Sequence, residues 1–253
     1  MIGKLPNNFS YQSASDLVRI GRDNDGGYLV SKSDVEKSDM LIAFGVNDDW
    51  SFEQDFKKMK NVEVFAYDAS ISQKYFFKEI IKSLIRIDKP WIIIQKLKTL
   101  LSYRDFFLTS NNHHIKKFVG LNTDHKNHCT FEEVLNDVTC DNIFFKIDIE
   151  GSEYRFLETL VSYQKRMSGL VIELHDCDLH LEAITNFIKN FNLHLVHIHA
   201  NVGGQIRATD GLPLVLELTF SRYCKTFQEP LLPHKLDMPN GKLDADIKLV
   251  IDS

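Results

Sequence analysis

Residues 142–153 read Asn-Ile-Phe-Phe-Lys-Ile-Asp-Ile-Glu-Gly-Ser-Glu and bring Asp148, Glu150 and Glu153 close together. Acids cost free energy beside a core, so acids at the end of an apolar run point to a cation, a proton or a polar ligand. The bland alternative is a solvated turn at a helix start, where acids are favoured in any case. Further on, His175 and Asp176 follow Glu173, and His197 and His199 stand two apart. Carboxylate with imidazole suits proton transfer, and it suits Mn²⁺, Zn²⁺ or Fe²⁺ better than an all-oxygen set would. A single histidine is more often packed or solvated than a ligand, but several at neighbouring strand ends weigh more. Earlier in the chain, Gly45 follows an apolar run and Asp68 comes 23 residues later. That is close to the spacing of about 20 residues between a glycine turn and a ribose-binding carboxylate. GxGxxG is missing, so the pair carries the signal without the full motif.

The elements that must position these residues follow from composition. Ile143, Phe144, Phe145, Ile147 and Ile149 read as a buried strand. Gly151 then turns the chain, and Ser152 is placed to cap a helix carrying Phe156, Leu157, Leu160 and Val161. Met40 to Phe44 and Val62 to Tyr67 read as the first two strands, with a helix from about Ser51 between them. Ile115 to Leu121 reads as the third and residues 142–149 as the fourth. Gly169 to Leu174 and Leu193 to His199 follow, with Leu181 to Phe191 as a helix between them, and Leu214 to Arg222 closes the set. Thr130 and Glu133 have capping-box spacing. Alternating strands and helices imply an α/β fold with a doubly wound, mostly parallel seven-stranded sheet. No crossover helix precedes the last strand, so it is expected antiparallel, pairing with the sixth at one edge.

Asp25-Gly26-Gly27 predicts a hairpin over residues 16–30. A plain N-terminal flap is the preferred reading, and a lid offering Asp25 or Tyr28 to a ligand is the other. Residues 70–112 read as a helical insertion, with Ile80, Ile81, Leu84 and Ile85, then Ile94, Leu97 and Leu101, as apolar stripes broken at Asp88-Lys89-Pro90. It could serve as a cap, a substrate wall or a subunit contact, so a homo-oligomer is among the expectations. Lys146 could form a structural ion pair with Glu173.

A net charge of −5 and a pI near 6.1 argue against a nucleic-acid binder that relies on bulk charge. Cys129, Cys140, Cys177 and Cys224 lack CxxC spacing, which fits reduced cysteines and a cytoplasmic protein. Met1 to Ile20 holds no apolar h-region, so no signal segment is expected. Charges interrupt residues 79–101, so no membrane span is expected.

Taken together, these stretches resemble the FkbM-type methyltransferase family. Its strand-turn-helix pattern, roughly Lys-x-Asp-x-Glu-Gly-x-Glu and then a leucine, is matched by Lys146, Asp148, Glu150, Gly151, Glu153 and Leu157. Thr130 to Glu133, Glu173-Leu174-His175, Asp25 to Tyr28 and Phe44-Gly45-Val46 are also similar to stretches of the family. The chain departs from it at Gly45-Val46-Asn47-Asp48, where a second glycine is usual, and at Tyr67-Asp68-Ala69-Ser70, where Glu-Pro is commoner. The resemblance implies a Rossmann-like class I methyltransferase domain over residues 1–223, with a flap at 1–39 and the insertion at 70–112. Residues 224–253 then form an extended tail. It also implies S-adenosylmethionine as donor, held by Phe44, Gly45, Asn47, Asp68 and Ala69. The acceptor would be a small molecule or saccharide, with methylation of a sugar hydroxyl in capsule or other polysaccharide synthesis as the leading case. Asp148, His175 and His199 are the expected catalytic residues, acting through a histidine base or as ligands of a divalent metal, Mn²⁺ or Mg²⁺. The rival readings are an NAD-dependent nucleotide-sugar oxidoreductase and a non-catalytic nucleotide-binding module.

Overall fold

The structure, a computed structural model, describes residues 1–84, 90–108, 111–120, 125–136, 138–242 and 244–252. The central sheet consists of β1 (Met40–Phe44), β2 (Glu63–Tyr67), β3 (Asn112–Ile115), β4 (Ile143–Ile147), β5 (Met167–Leu174), β6 (His194–Ala200) and β7 (Leu216–Ser221). Their order is 3-2-1-4-5-7-6, and every pairing is parallel except the two made by β7. This is the expected Rossmann-like, mostly parallel sheet with an antiparallel pair at one edge. The antiparallel strand lies one place in, with β6 outermost.

Helices cover both faces, so the inner strands are apolar on both sides. Ile143, Phe145 and Ile147 of β4 join one core cluster, while Phe144 joins the other. The first cluster is built around Phe44, which meets Tyr67, Phe131, Phe145 and Phe156 edge-on at centroid distances of 5.6–6.1 Å. On the opposite face, past the short helix α1 (Lys32–Lys37), Phe144 packs 5.1 Å from Phe56 of α2 (Ser51–Met59). Lys146 points the same way as Phe144, which sends its ammonium toward that helix.

The predicted hairpin forms, with Leu17–Ile20 antiparallel to Tyr28–Ser31. The capping box at the helix Phe131–Asn136 forms too: Thr130 N–H donates to Glu133 at 3.0 Å, and Glu133 N–H donates to Thr130 Oγ1 at 3.1 Å. Ser152 makes no cap bond, and a 3-10 turn, Glu153–Arg155, precedes the helix Leu157–Tyr163. The third strand comes earlier than predicted, at Asn112-His113-His114-Ile115. Its polar side chains hid it. Asn112 donates to Phe106 O, and His114 sits between Tyr103 and Asp68 O. The helical span Cys177–Asn190 is broken by a kink at His180, and its continuous part starts at Leu181 as expected.

The insertion is two helices, α3 (Gln73–Leu84) and α4 (Pro90–Leu108), packed on each other. Ile80 is buried, but Ile81, Leu84, Ile94, Leu97 and Leu101 are exposed. Phe76, Leu100, Tyr103 and Phe107 face the core instead, around Trp50. Ile85, the Asp88-Lys89 break, Leu121 and the loop start at Asn122-Thr123-Asp124 lie outside the described residues.

The tail is extended but is not a surface strap. Lys248–Ile251 pairs in parallel with Ile2–Leu5, Phe227–Gln228 pairs with Ser13–Ala14, and Ile247 and Leu249 are buried in the core. The four cysteines are free, and no described helix is long and apolar enough to cross a membrane.

The Phe44 cluster makes a testable claim. Phe145→Ala removes a fully buried ring and should cost about 3–5 kcal/mol in urea unfolding. Leu179→Ala, at a position 74% exposed, should change stability by less than about 0.5 kcal/mol.

Candidate functional site

The carboxyl ends of the parallel strands open into a cleft of about 1210 Å³. That exceeds the roughly 300–1,000 Å³ of a single-ligand pocket and leaves room for two molecules side by side. Its rim is backbone-strained: Asn47 (φ 46°) follows β1, Glu150 (φ 55°) follows β4, and Asp176 (φ 49°) follows β5. Left-handed non-glycine residues concentrate where surrounding structure holds a working geometry.

At the β1 end, Gly45 has φ 73°, and an added Cβ would stand 1.7 Å from the Asp148 carbonyl oxygen. No side chain fits there, so β1 and β4 stay in close register. Asp68, 5% exposed at the end of β2, organises the loop beyond. Its carboxylate accepts from Val46 N–H (3.1 Å), Asn47 N–H (2.8 Å), Ser70 N–H (2.7 Å) and Ser70 O–H (2.5 Å). Gly45, Asn47 and Asp68 line the cleft. The Phe44 side chain instead faces the core, and Ala69 is absent from the cleft wall.

At the β4 and β5 ends, Asp148, Glu173 and His175 each offer one donor atom within 4.8 Å of the others. Tyr28, carried in by the hairpin, lies 3.1 Å from Asp148 Oδ2 and 2.9 Å from Glu173 Oε2. Its hydroxyl has one proton for two carboxyl groups, so a second proton or a cation belongs between them. Burial, then the charges of Asp148 and Glu217, push the Glu173 carboxyl above the usual range, which makes it the proton holder. Asn201 donates to its other oxygen at 2.7 Å. Burial draws His175 down, but its bond to Glu153 (3.1 Å) and the nearby acids outweigh this and keep it protonated. Burial likewise opposes the charge on Lys146, and Asp148, Glu53 and Glu173 more than restore it. Its ammonium donates to Gly45 O at 2.5 Å and stands 3.6 Å from Asp148, not paired with Glu173 as the sequence suggested.

His199 is not part of this cluster. The third donor beside Asp148 and His175 is Glu173. His199 lies two strands away from Glu173, its Nδ1 3.1 Å from Glu217 and its Nε2 2.9 Å from Asp246 of the tail. Those two acids outweigh burial and hold it charged, so it is a structural cation. Sequence periodicity put His197 and His199 on one face correctly, but it could not show that tail acids would cover them.

Glu53 was missed altogether. It lies in the first turn of α2, is 1% exposed and lines the cleft, and neither carboxylate oxygen has a hydrogen-bond partner. The sequence offered one signal, an acid three residues before Phe56 on a core-facing helix. It reads most simply as an acid drawn to a helix N-terminus.

No protein-family model matches this chain, and no curated protein sequence matches it. Among solved structures it is similar to a precorrin-6y C5,15-methyltransferase from Geobacter metallireducens (TM-score 0.40, 13% identity, covering 76% of this chain and 86% of that one). It is also similar to an rRNA methylase from Streptococcus thermophilus (TM-score 0.37, 12% identity, covering 76% and 92%).

Glu53 gives the site a pH signature. Burial raises its carboxyl to about 7, Lys146 pulls it down, and Asp49 and Asp148 push it up. Between the unfolded value of 4.5 and about 7 the native state holds the extra proton, so stability falls as pH rises through that window. Glu53→Gln should therefore raise the melting temperature at alkaline pH, by on the order of 3 kcal/mol of stability, and change little in acid. Equal stability at both ends of a pH series of thermal melts would refute this.

Proposed function

We propose that this chain is an S-adenosylmethionine-dependent methyltransferase of the FkbM type. It would methylate a hydroxyl on a sugar or glycan precursor, as in capsule or other polysaccharide synthesis. The carrying observation is a donor-shaped approach, Gly45 with Asp68, directly beside the Asp148–Glu173–His175 cluster in one cleft wide enough for two ligands. Asp68 would receive the ribose, and the rigid loop it fastens would seat the adenosine.

Methyl transfer from a sulfonium is an in-line displacement, and fixing donor and acceptor in line supplies several kcal/mol of the barrier. The acceptor oxygen bonds to the methyl carbon as the carbon–sulfur bond breaks, and the hydroxyl proton must leave. Asp148 is the group placed to take it, because it lines the cleft with its carboxylate held by Tyr28 and Lys146. Glu173 already carries a proton, and His175 is held charged by its acids, so neither is the base at neutral pH. Asp48, Asp49, Glu150 and Asp244 on the wall outweigh Arg22 and Arg155, and that charge favours a neutral polyol over a phosphodiester.

The same cluster fits a divalent metal by donor type, and Mn²⁺ suits its mixed nitrogen and oxygen better than Mg²⁺. Asp148, Glu173 and His175 would hold it once Glu173 and His175 gave up their protons. When bound, it would lower the acceptor hydroxyl's pKa.

Titration calorimetry and turnover on a panel of sugar acceptors test the proposal. Asp68→Ala should weaken S-adenosylmethionine at least roughly tenfold, about 1.4 kcal/mol. Asp148→Asn should bind the donor normally and lose most turnover. Loss of activity in EDTA with rescue by Mn²⁺ assigns the metal route, and insensitivity assigns the carboxylate base. A folded protein that binds no S-adenosylmethionine, or an Asp148→Asn enzyme with near-normal turnover, would overturn the corresponding claim.

A further inference from the structure

Glu53 is buried with both carboxylate oxygens unpartnered, an arrangement that native structures avoid unless a ligand or proton completes it. Lys146 senses its charge but is engaged by Gly45 O and Asp148. What the site lacks is a cation that brings its own N–H donors. If Asp68 at β2 holds the ribose and the methyl points to Asp148 at β4, the donor's amino-acid end reaches the first turn of α2 between them. We infer that Glu53 receives the α-ammonium of the donor's methionine moiety. The inference rests on the donor reading above.

Three nucleosides separate the parts: S-adenosylmethionine, S-adenosylhomocysteine, which keeps the ammonium without the sulfonium, and methylthioadenosine, which has neither. Glu53→Gln should lose roughly tenfold affinity for the first two and none for the third. Equal loss for all three, loss for S-adenosylmethionine alone, or no loss would each overturn the assignment. With the wild type, removing the amino group from S-adenosylhomocysteine should give a matching loss, a readout that does not depend on the variant's folding. Failure of the donor reading looks different, because the wild type then binds none of the three.

A separate observation concerns the insertion. Phe77, Ile81 and Leu84 on α3, and Ile94, Leu97, Leu101 and Leu108 on α4, recur at helical spacing and are all exposed. Trp91 at the start of α4 is 59% exposed. Eight exposed large apolar side chains on two packed helices are more than singly scattered surface residues account for. The two helices carry six lysines and arginines against two acids, a net +4 in a chain of −5, so the remainder carries −9. Lysines flank the exposed apolar stripes, with Lys82 and Lys96 paired to Glu79 and the others exposed to meet anionic headgroups, and Trp91 stands at the edge. A second copy would set one positive hairpin against another. We propose that α3 and α4 dock on an anionic lipid surface.

The probe is vesicles of phosphatidylcholine with and without phosphatidylserine. The protein should sediment with the anionic vesicles only, and salt should release it. Trp91 emission should shift to the blue on binding, while Trp50, 3% exposed, contributes a constant signal. Ile81→Asp with Leu101→Asp, both at exposed positions, should abolish sedimentation without changing the melt. Equal sedimentation with both vesicle types, no sedimentation, or a dimer in ultracentrifugation that the double variant dissolves would overturn the proposal.

Discussion

A row of buried and half-buried carboxyl groups crosses the carboxyl edge of the sheet, and the surrounding structure is arranged to make that burial tolerable. Asp148 on the β4 end, Glu173 on β5 and Glu217 on β7 stand on neighbouring strands, with Glu173 and Glu217 directly opposed. Unpaired, such a row would unfold the edge or discharge itself. Lys146 and His175 supply charge at the cleft end, and His199 supplies it at the far end. Tyr28, Asn201 and Asn240 donate to the remaining oxygens. The proton that Glu173 retains follows from the same crowding.

That requirement explains why the chain's two ends fold onto the sheet. The hairpin delivers Tyr28, and the tail delivers Asn240, Asp237 and Asp246 to the histidines and acids of β6 and β7. Neither segment is needed to complete the parallel sheet. Both satisfy polar groups that the sheet alone would leave buried and open. The β1–β2 side of the cleft is built differently, by backbone: Gly45 brings β1 against β4, and Asp68 ties the loop with four bonds. One half of the cleft is therefore set by steric fit and hydrogen bonds, and the other by charge balance.

Strand-helix alternation was legible in the chain, because Met40–Phe44, Ile143–Ile147 and Met167–Leu174 are predominantly apolar runs. The sequence also placed Gly45, Asp68, Asp148 and His175 at strand ends, since chain position relative to an apolar run is a local property. It misplaced the third strand because its polar side chains, the buried Asn112 and the half-buried His114, are satisfied by Phe106 O and Asp68 O, partners that the apolar pattern does not record. Which titratable groups meet was fixed only by folding. His199 was drawn away by Glu217 and by Asp246, 47 residues further on, and Glu173 took its place beside Asp148. Folding also left the Glu53 carboxylate buried in the cleft wall without a hydrogen-bond partner, which its helical position alone does not show. Local pattern records which side chains are apolar. Charge pairing depends on distances across strands, and those exist only once the sheet has formed.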